Sequence, residues 1–209
     1  MTTFLLVRHA LCDPVGKAIA GRAPGVHLNG TGRRQATQLA ARLAPLPIGA
    51  VYSSPLERAV QTAEPLAARL ALPVNISPGL IEVDFGDWTG RTLEDLSDAP
   101  GWREFNTRRS TVRIPNGETM AEVTTRALAV LGEIDQGERP GTGIVALVSH
   151  GDVLRSLVTH VLGMPADLLP RLEIAPASVS VVTLEYGMPR LLLLNATGGW
   201  PEEVTSATR

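Results

Sequence analysis

The sequence has one cysteine, one lysine and no long hydrophobic run. Cys12 is the only cysteine among the 209 residues, which excludes an internal disulfide and a cysteine metal cluster. The longest apolar runs, residues 143–148 and 191–194, fall well short of the ~20 residues that a membrane helix needs. No basic region precedes a long apolar stretch at the start of the chain. We therefore expect no signal peptide, no membrane association and a cytoplasmic protein.

A strong charge of either sign is also lacking. The net charge is −2 at pH 7, which gives no general basis for binding nucleic acid or an anionic membrane. Lys17 is the only lysine among the 19 basic residues, and all the others are arginines. Arginine binds phosphate better than lysine does because its guanidinium presents two parallel donors.

Strand-like and helix-like segments alternate along the chain. Short apolar runs predict strands at residues 3–7, 49–53, 74–77, 143–149, 179–184 and 190–194. Apolar residues with i, i+3, i+4 spacing predict helices that begin at Asn29, Ser54, Glu118 and Asp152. This alternation predicts a three-layer α/β/α sandwich with a mostly parallel central sheet.

The length favours one domain, since domains average ~150 residues. We expect this domain to cover residues 1–195 and the tail at 196–209 to be loosely anchored. An arginine-rich insertion at about residues 90–116 has two equally supported interpretations. It is either a lid that contacts the rest of an anionic substrate, or a solvated helix held by two aromatic side chains.

Cationic residues follow three of the predicted strands. Arg8 and His9 end the first strand, Arg58 lies in the first turn of the helix after the second, and His150 follows the strand at 143–149. Sites in parallel sheets form at the carboxyl ends of strands, so these side chains are expected to meet. Residues 54–57, Ser-Pro-Leu-Glu, predict a capping box at the start of the Arg58 helix, which assigns Glu57 a structural role.

Five segments carry motifs in a fixed order. They are residues 8–10 (Arg-His-Ala), 53–63 (Ser-Ser-Pro-Leu-Glu-Arg-Ala-Val-Gln-Thr-Ala), 80–90 (Leu-Ile-Glu-Val-Asp-Phe-Gly-Asp-Trp-Thr-Gly), 115–119 (Pro-Asn-Gly-Glu-Thr) and 149–155 (Ser-His-Gly-Asp-Val-Leu-Arg). Together they resemble the histidine phosphatase superfamily, also called phosphoglycerate-mutase-like proteins, over residues 4 to about 184. The resemblance implies a phosphoglycerate-mutase-like fold and a phosphohistidine intermediate on His9.

Two departures from the family pattern concern the phosphate pocket. Ala10 stands where many members carry glycine, which is a mild change. The asparagine that touches the phosphoryl group in many members is missing, and Gly16 occupies its place. We expect Arg22 to reach the pocket entrance as a substitute, although a surface location is about as well supported.

The chemistry assigns roles to the remaining residues. Arg8 and Arg58 are expected to bind the phosphate edges, with His150, if protonated, as a third cation and amides such as that of Gly151 as further donors. These charges take the place of a metal, so neither a metal nor a cofactor is expected. Glu82 is the preferred proton donor to the leaving alkoxide, with Asp84 as the competing carboxyl.

The sequence therefore predicts a metal-independent phosphatase that hydrolyses a small-molecule phosphomonoester. The alternative is a phosphoglycerate mutase that depends on 2,3-bisphosphoglycerate and returns the phosphoryl group to its substrate. A non-catalytic phospho-ligand module is weakly supported, because both histidines, both arginines and the glutamate are present together. The substrate is left open, and a homodimer is compatible with the sequence.

Overall fold

The computed structural model describes residues 1–137, 143–185 and 187–199. Within them, six strands form one sheet. They are Thr2–Arg8 (β1), Ile48–Ser53 (β2), Val74–Ile76 (β3), Ile144–Ser149 (β4), Val179–Glu185 (β5) and Met188–Ala196 (β6). Their order is β3-β2-β4-β1-β5-β6. The first four are parallel to one another, whereas β5 is antiparallel to β1 and to β6.

Helices cover both faces of the sheet. They are Gly30–Leu43 (α1), Glu57–Leu70 (α2), Leu93–Ser97 (α3), Trp102–Thr107 (α4), Met120–Gln136 (α5) and Gly151–Val161 (α6). Successive side chains of a strand point to opposite faces, and β1 shows this directly. Leu5 and Val7 pack with α1 and α2, whereas Phe4 and Leu6 pack with α5 and α6. The prediction of a three-layer α/β/α sandwich with a mostly parallel sheet is confirmed.

The predicted capping box at residues 54–57 is wrong. Helix α2 begins at Glu57, and its N-cap residue, Leu56, provides no side-chain cap. The Glu57 carboxylate instead accepts a hydrogen bond from the Gly25 amide at 2.9 Å. The Ser54 hydroxyl accepts from the Leu56 amide at 3.3 Å and also bonds a distant residue, His150, at 2.7 Å.

The insertion at residues 90–116 contains two short helices, α3 and α4. Aromatic side chains anchor it: Trp88 stacks edge-on against Trp102 at 5.2 Å and against Phe105 at 5.4 Å. Arg109, which follows α4, forms an ion pair of 2.8 Å with Asp152 and so connects the insertion to α6. Whether the insertion works as a lid stays a prediction.

Neither the predicted domain boundary nor the predicted loose tail is tested by the structure. The boundary at residue 195 stays a prediction, and residues 200–209 of the predicted tail lie outside the described residues. No helix in the described part of the chain combines the length and hydrophobicity that a membrane crossing requires.

Candidate active site

The functional residues gather at the carboxyl edge of the parallel strands. Strands β2, β4 and β1 are neighbours and end together. The His9 amide continues the ladder by donating to the Ser149 carbonyl at 2.9 Å, which holds the His9 ring 5.1 Å from the His150 ring. A cavity of about 170 Å³ opens at this edge, and Arg8, His9, Arg58, Glu82 and Gly151 are part of its wall.

His9 is buried and neutral. Its Nδ1 lies 2.8 Å from the Ala10 carbonyl oxygen, an acceptor only, so Nδ1 carries the ring proton and donates it there. Nε2 is therefore left with a free lone pair. Burial, with the positive charges of Arg58 and Arg8, lowers the pKa of His9 to about 3. The ring is thus neutral at neutral pH, with Nε2 unprotonated.

Arg8 and Arg58 bring buried positive charge to the same cavity. Arg58 is 1% exposed and donates one N–H to the Gly21 carbonyl at 2.7 Å. Arg8 donates to the Ile174 carbonyl. The Nε atoms of both and one terminal nitrogen of Arg58 have no hydrogen-bond partner among the described residues. Both arginines line the cavity, so an anion bound there would lie beside two positive charges.

His150 corrects one expectation, because it does not supply a third cation. Its ring is fully buried, and burial, followed by the charges of its neighbours, holds its pKa well below the usual value. Its Nε2 lies 2.7 Å from Ser54 Oγ, which already accepts from the Leu56 amide at 3.3 Å. The Ser54 hydroxyl can donate to Nε2 or accept from it, because its oxygen has two lone pairs and the Leu56 amide uses only one. His150 Nδ1 lies 3.9 Å from the Glu82 carboxyl and has no hydrogen-bond partner within the described residues.

Gly151 begins α6 and lies close to Arg8. A Cβ at this position would lie 3.4 Å from the Arg8 guanidinium and 3.5 Å from Arg155, which is ordinary van der Waals contact. The first amides of a helix have no partner within it, so the amide of Gly151 is suited to an anion.

Glu82 has the properties of a proton donor, whereas Asp84 organises its loop. Burial raises the pKa of Glu82 to about 7, with the negative charge of Asp152 acting in the same direction. The Asp84 carboxylate accepts from the Gly86 amide at 3.0 Å and lies 3.5 Å from Arg22. The two carboxyls are therefore in different environments, and Glu82 is the one on the cavity wall.

Arg22 is turned away from the cavity, contrary to its expected place at the entrance. It forms an ion pair with Glu118 at 2.9 Å and donates to the Glu82 carbonyl at 2.9 Å. Arg126 contacts the same carbonyl at 3.2 Å and is also paired with Glu118, at 3.0 Å. We call Arg22, Glu118 and Arg126 the arginine clamp, because they hold the backbone on both sides of Glu82.

Gly16, which occupies the place of the family asparagine, lines the cavity, and a Cβ there would meet nothing within 4 Å.

Two further cavity residues, Asp152 and Arg155, were missed in the sequence. They pair with each other at 2.9 Å, and Arg109 joins Asp152 on its other oxygen. Burial raises the pKa of Asp152, but the two arginines outweigh it and hold the pKa below its usual value. The sequence feature that could have identified them is their i, i+3 spacing near the start of α6, which places both on one helix face. No group of three or more His, Cys, Asp or Glu side chains within the described ranges is arranged to hold a metal ion.

Fold and site together define a phosphoric monoester hydrolase. The sequence model of the Histidine phosphatase superfamily (branch 1) matches residues 4–197. The chain belongs to this family, as its five motif segments predicted.

Similar proteins include both a phosphoglycerate mutase by name and phosphatases. The "Probable phosphoglycerate mutase GpmB" of Escherichia fergusonii is 37% identical over 164 residues, which are 74% of this chain and 72% of that protein. Among solved structures, a mycobacterial glucosyl-3-phosphoglycerate phosphatase is 28% identical with a TM-score of 0.82, covering 93% of this chain and 99% of its own. The alpha-ribazole phosphatase of Shigella flexneri is 27% identical with a TM-score of 0.83, covering 96% and 99%.

Proposed function

We propose that this protein is a metal-independent phosphatase that hydrolyses a small-molecule phosphomonoester through a phosphohistidine on His9. The observation that carries the proposal is the neutral His9 ring, whose Nε2 is free beside the unpartnered donors of Arg8 and Arg58. Phosphoryl transfer depends mainly on positioning and on stabilising negative charge, and this arrangement provides both. Two buried guanidiniums supply the charge that a divalent ion supplies in metal-dependent enzymes.

The first step transfers the phosphoryl group to the enzyme. Arg8, Arg58, His150 and the Gly151 amide hold the phosphate oxygens. His9 Nε2 attacks phosphorus, the P–O bond to the alcohol breaks, and protonated Glu82 gives its proton to the leaving alkoxide. A carboxyl with a pKa of about 7 is suited to this role because half of it is protonated at neutral pH.

The second step returns the enzyme to its starting state. The Glu82 carboxylate takes a proton from a water molecule, whose oxygen attacks phosphorus as the N–P bond breaks. Inorganic phosphate leaves, His9 is again neutral and Glu82 is again protonated. Each group thus ends the cycle as it began.

The second candidate is a phosphoglycerate mutase, which the name of the Escherichia fergusonii relative favours. A mutase uses the same phosphohistidine but must exclude water and return the phosphoryl group to its substrate. The short connections in this chain leave little room for additional elements that close over the site, which favours hydrolysis. The cytoplasmic location, the lack of nucleic-acid binding and the homodimer stay predictions.

A substrate panel with and without chelator tests the proposed function. We expect phosphomonoester hydrolysis to be unchanged by excess EDTA and to exceed the interconversion of 3- and 2-phosphoglycerate. Activity that is lost with EDTA and restored by magnesium would contradict the metal-independent mechanism. A faster interconversion that requires 2,3-bisphosphoglycerate would establish the mutase.

The pH profile is expected to depend on the leaving group. The proton on Glu82 is needed only for alkyl phosphates, so their kcat/KM should fall about tenfold per pH unit above pH 7, where the free carboxyl ionises. p-Nitrophenyl phosphate should show no such fall, because nitrophenolate leaves without a proton. His9 stays neutral from about pH 3 upward and sets no limit in this range. Glu82→Gln serves as the control, since it should abolish the fall for the alkyl substrate.

The arginine clamp is expected to position Glu82 rather than to bind substrate. Arg126→Met removes the contacts to the Glu82, Ile81 and Gly79 carbonyls, so alkyl phosphate turnover should fall about tenfold or more, while p-nitrophenyl phosphate turnover changes little. The matched control is Arg113→Met, which removes contacts to Gly117 and Glu122 at the same acidic region but leaves Glu82 untouched. Equal losses for both substrates in Arg126→Met would mean that the clamp serves folding alone.

A further inference from the structure

Apolar side chains line the cavity together with the phosphate-binding groups. Six apolar side chains line it, four from the loop between β1 and α1 and two from the region of the insertion. They are Val15, Ala18, Ile19, Ala20, Phe85 and Leu93. We call this set the apolar wall. Leu93 is the most exposed member of the set, at 40%.

The apolar wall is a built structure, because backbone hydrogen bonds join its two halves. The Ile19 amide donates to the Arg91 carbonyl at 2.9 Å, and the Leu93 amide donates to the Lys17 carbonyl at 2.9 Å. The Gly90 amide returns a bond to the Ile19 carbonyl at 2.7 Å. Leu93 is thereby held beside Ile19, at a fixed distance from the phosphate-binding end.

The charged side chains on the far side of the cavity are already engaged with one another. Arg155 is paired with Asp152 and also donates to the Leu172 carbonyl at 2.8 Å. Asp152 holds Arg109 at 2.8 Å on its second oxygen. An anionic leaving group would have to compete with Asp152 for these arginines, whereas an uncharged one meets the apolar wall at no such cost.

We propose that the apolar wall binds the leaving alcohol and selects phosphomonoesters whose alcohol is uncharged and has a compact apolar face. Alcohols that carry a carboxylate or a second phosphate are disfavoured, because burying a charge without a partner is costly. This substrate class rests on the proposed function and refines it. It places phosphoglycerate among the poor substrates.

The first test compares substrates that differ only in the leaving alcohol. Wild-type protein is assayed with ethyl, propyl and butyl phosphate and with 4-(phosphonooxy)butanoate, the carboxylate analogue of butyl phosphate. We expect kcat/KM to rise by up to about fourfold per added methylene, the value for full burial of a CH₂ group. Butyl phosphate should exceed its carboxylate analogue by about tenfold or more.

Two leucine variants test whether the apolar wall causes the preference for butyl phosphate over its carboxylate analogue. Leu93→Arg places a cation on the apolar wall and should reduce the preference for butyl phosphate at least about fivefold. Leu162→Arg is the matched control, because Leu162 is a comparably exposed leucine, at 46%, after the end of α6. It lies about 16 Å along the helix axis from Gly151 and should leave the preference unchanged.

Failure of this proposal is distinguishable from failure of the proposed function. Equal rates for the two butyl substrates, with EDTA-resistant hydrolysis of both, would overturn the apolar selectivity while the phosphatase mechanism stands. A preference for the carboxylate substrate that disappears in Arg155→Met would show that Arg155 binds the anion. That result would also overturn the apolar selectivity. Calorimetric binding of butylphosphonate and 4-phosphonobutanoate gives a readout without turnover, and tighter binding of the carboxylate would contradict the proposal.

Discussion

His9→Ala is expected to lose phosphatase activity by about 10⁴-fold or more, close to background. The substitution removes the atom that attacks phosphorus, so no covalent intermediate can form and the whole catalytic route is lost. Binding of inorganic phosphate should persist, because Arg8, Arg58 and the Gly151 amide remain. The measurements are steady-state turnover of p-nitrophenyl phosphate and calorimetric binding of phosphate.

The histidines of the chain provide a control for this result. His160→Ala changes an exposed histidine near the end of α6 and should leave activity at the wild-type level. Quenching with alkaline detergent during turnover of a ³²P-labelled substrate should trap an acid-labile, base-stable label on wild type and on His160→Ala, and none on His9→Ala. Retained label or turnover in His9→Ala would assign the nucleophile to another residue.

Glu82→Gln is expected to have the second largest effect, and only for poor leaving groups. Glutamine keeps the shape of the side chain but cannot donate a proton to an alkoxide. General acid catalysis contributes roughly 10²–10⁴-fold, so kcat/KM for butyl phosphate should fall by that order. The kcat/KM for p-nitrophenyl phosphate, which does not include the later hydrolysis of the phosphohistidine, should fall much less. The ratio of the two rates is the measured quantity, which cancels any loss of active protein.

Asp84→Asn distinguishes the two carboxyls of the acidic segment. Asp84 accepts the Gly86 amide and faces Arg22, so we expect it to organise the loop without donating the proton. Its substitution should lower both rates by similar factors and leave the ratio unchanged. A reduced ratio in Asp84→Asn, with an unchanged ratio in Glu82→Gln, would make Asp84 the acid.

The wrong assignments concern side chains whose partners are far away in the sequence. Arg22 had two equally supported locations, the pocket entrance and the surface, and it pairs with Glu118 and the Glu82 carbonyl. The Ser54 hydroxyl keeps its local bond from the Leu56 amide and also bonds His150, which is 96 positions away. Contacts between segments distant in the sequence determine both arrangements.

The layered α/β fold, and the formation of the site at the carboxyl edge of the parallel strands, were predictable from the sequence. Apolar periodicity sets which segments become strands and helices, and parallel strands necessarily bring the residues after them together. Arg8, His9, Arg58 and His150 meet for this reason. The family assignment was also available from the order of the five motif segments, which the match over residues 4–197 confirms.

The protonation states and the surroundings of these residues depend on tertiary packing and were not predictable from the sequence. Burial keeps His9 and His150 neutral and raises the pKa of Glu82 to about 7, and burial depends on every element that packs around a group. The arginine clamp and the apolar wall likewise join segments tens of residues apart. Sequence periodicity records which face of an element is buried, but it carries no information about which distant charge or carbonyl lies opposite.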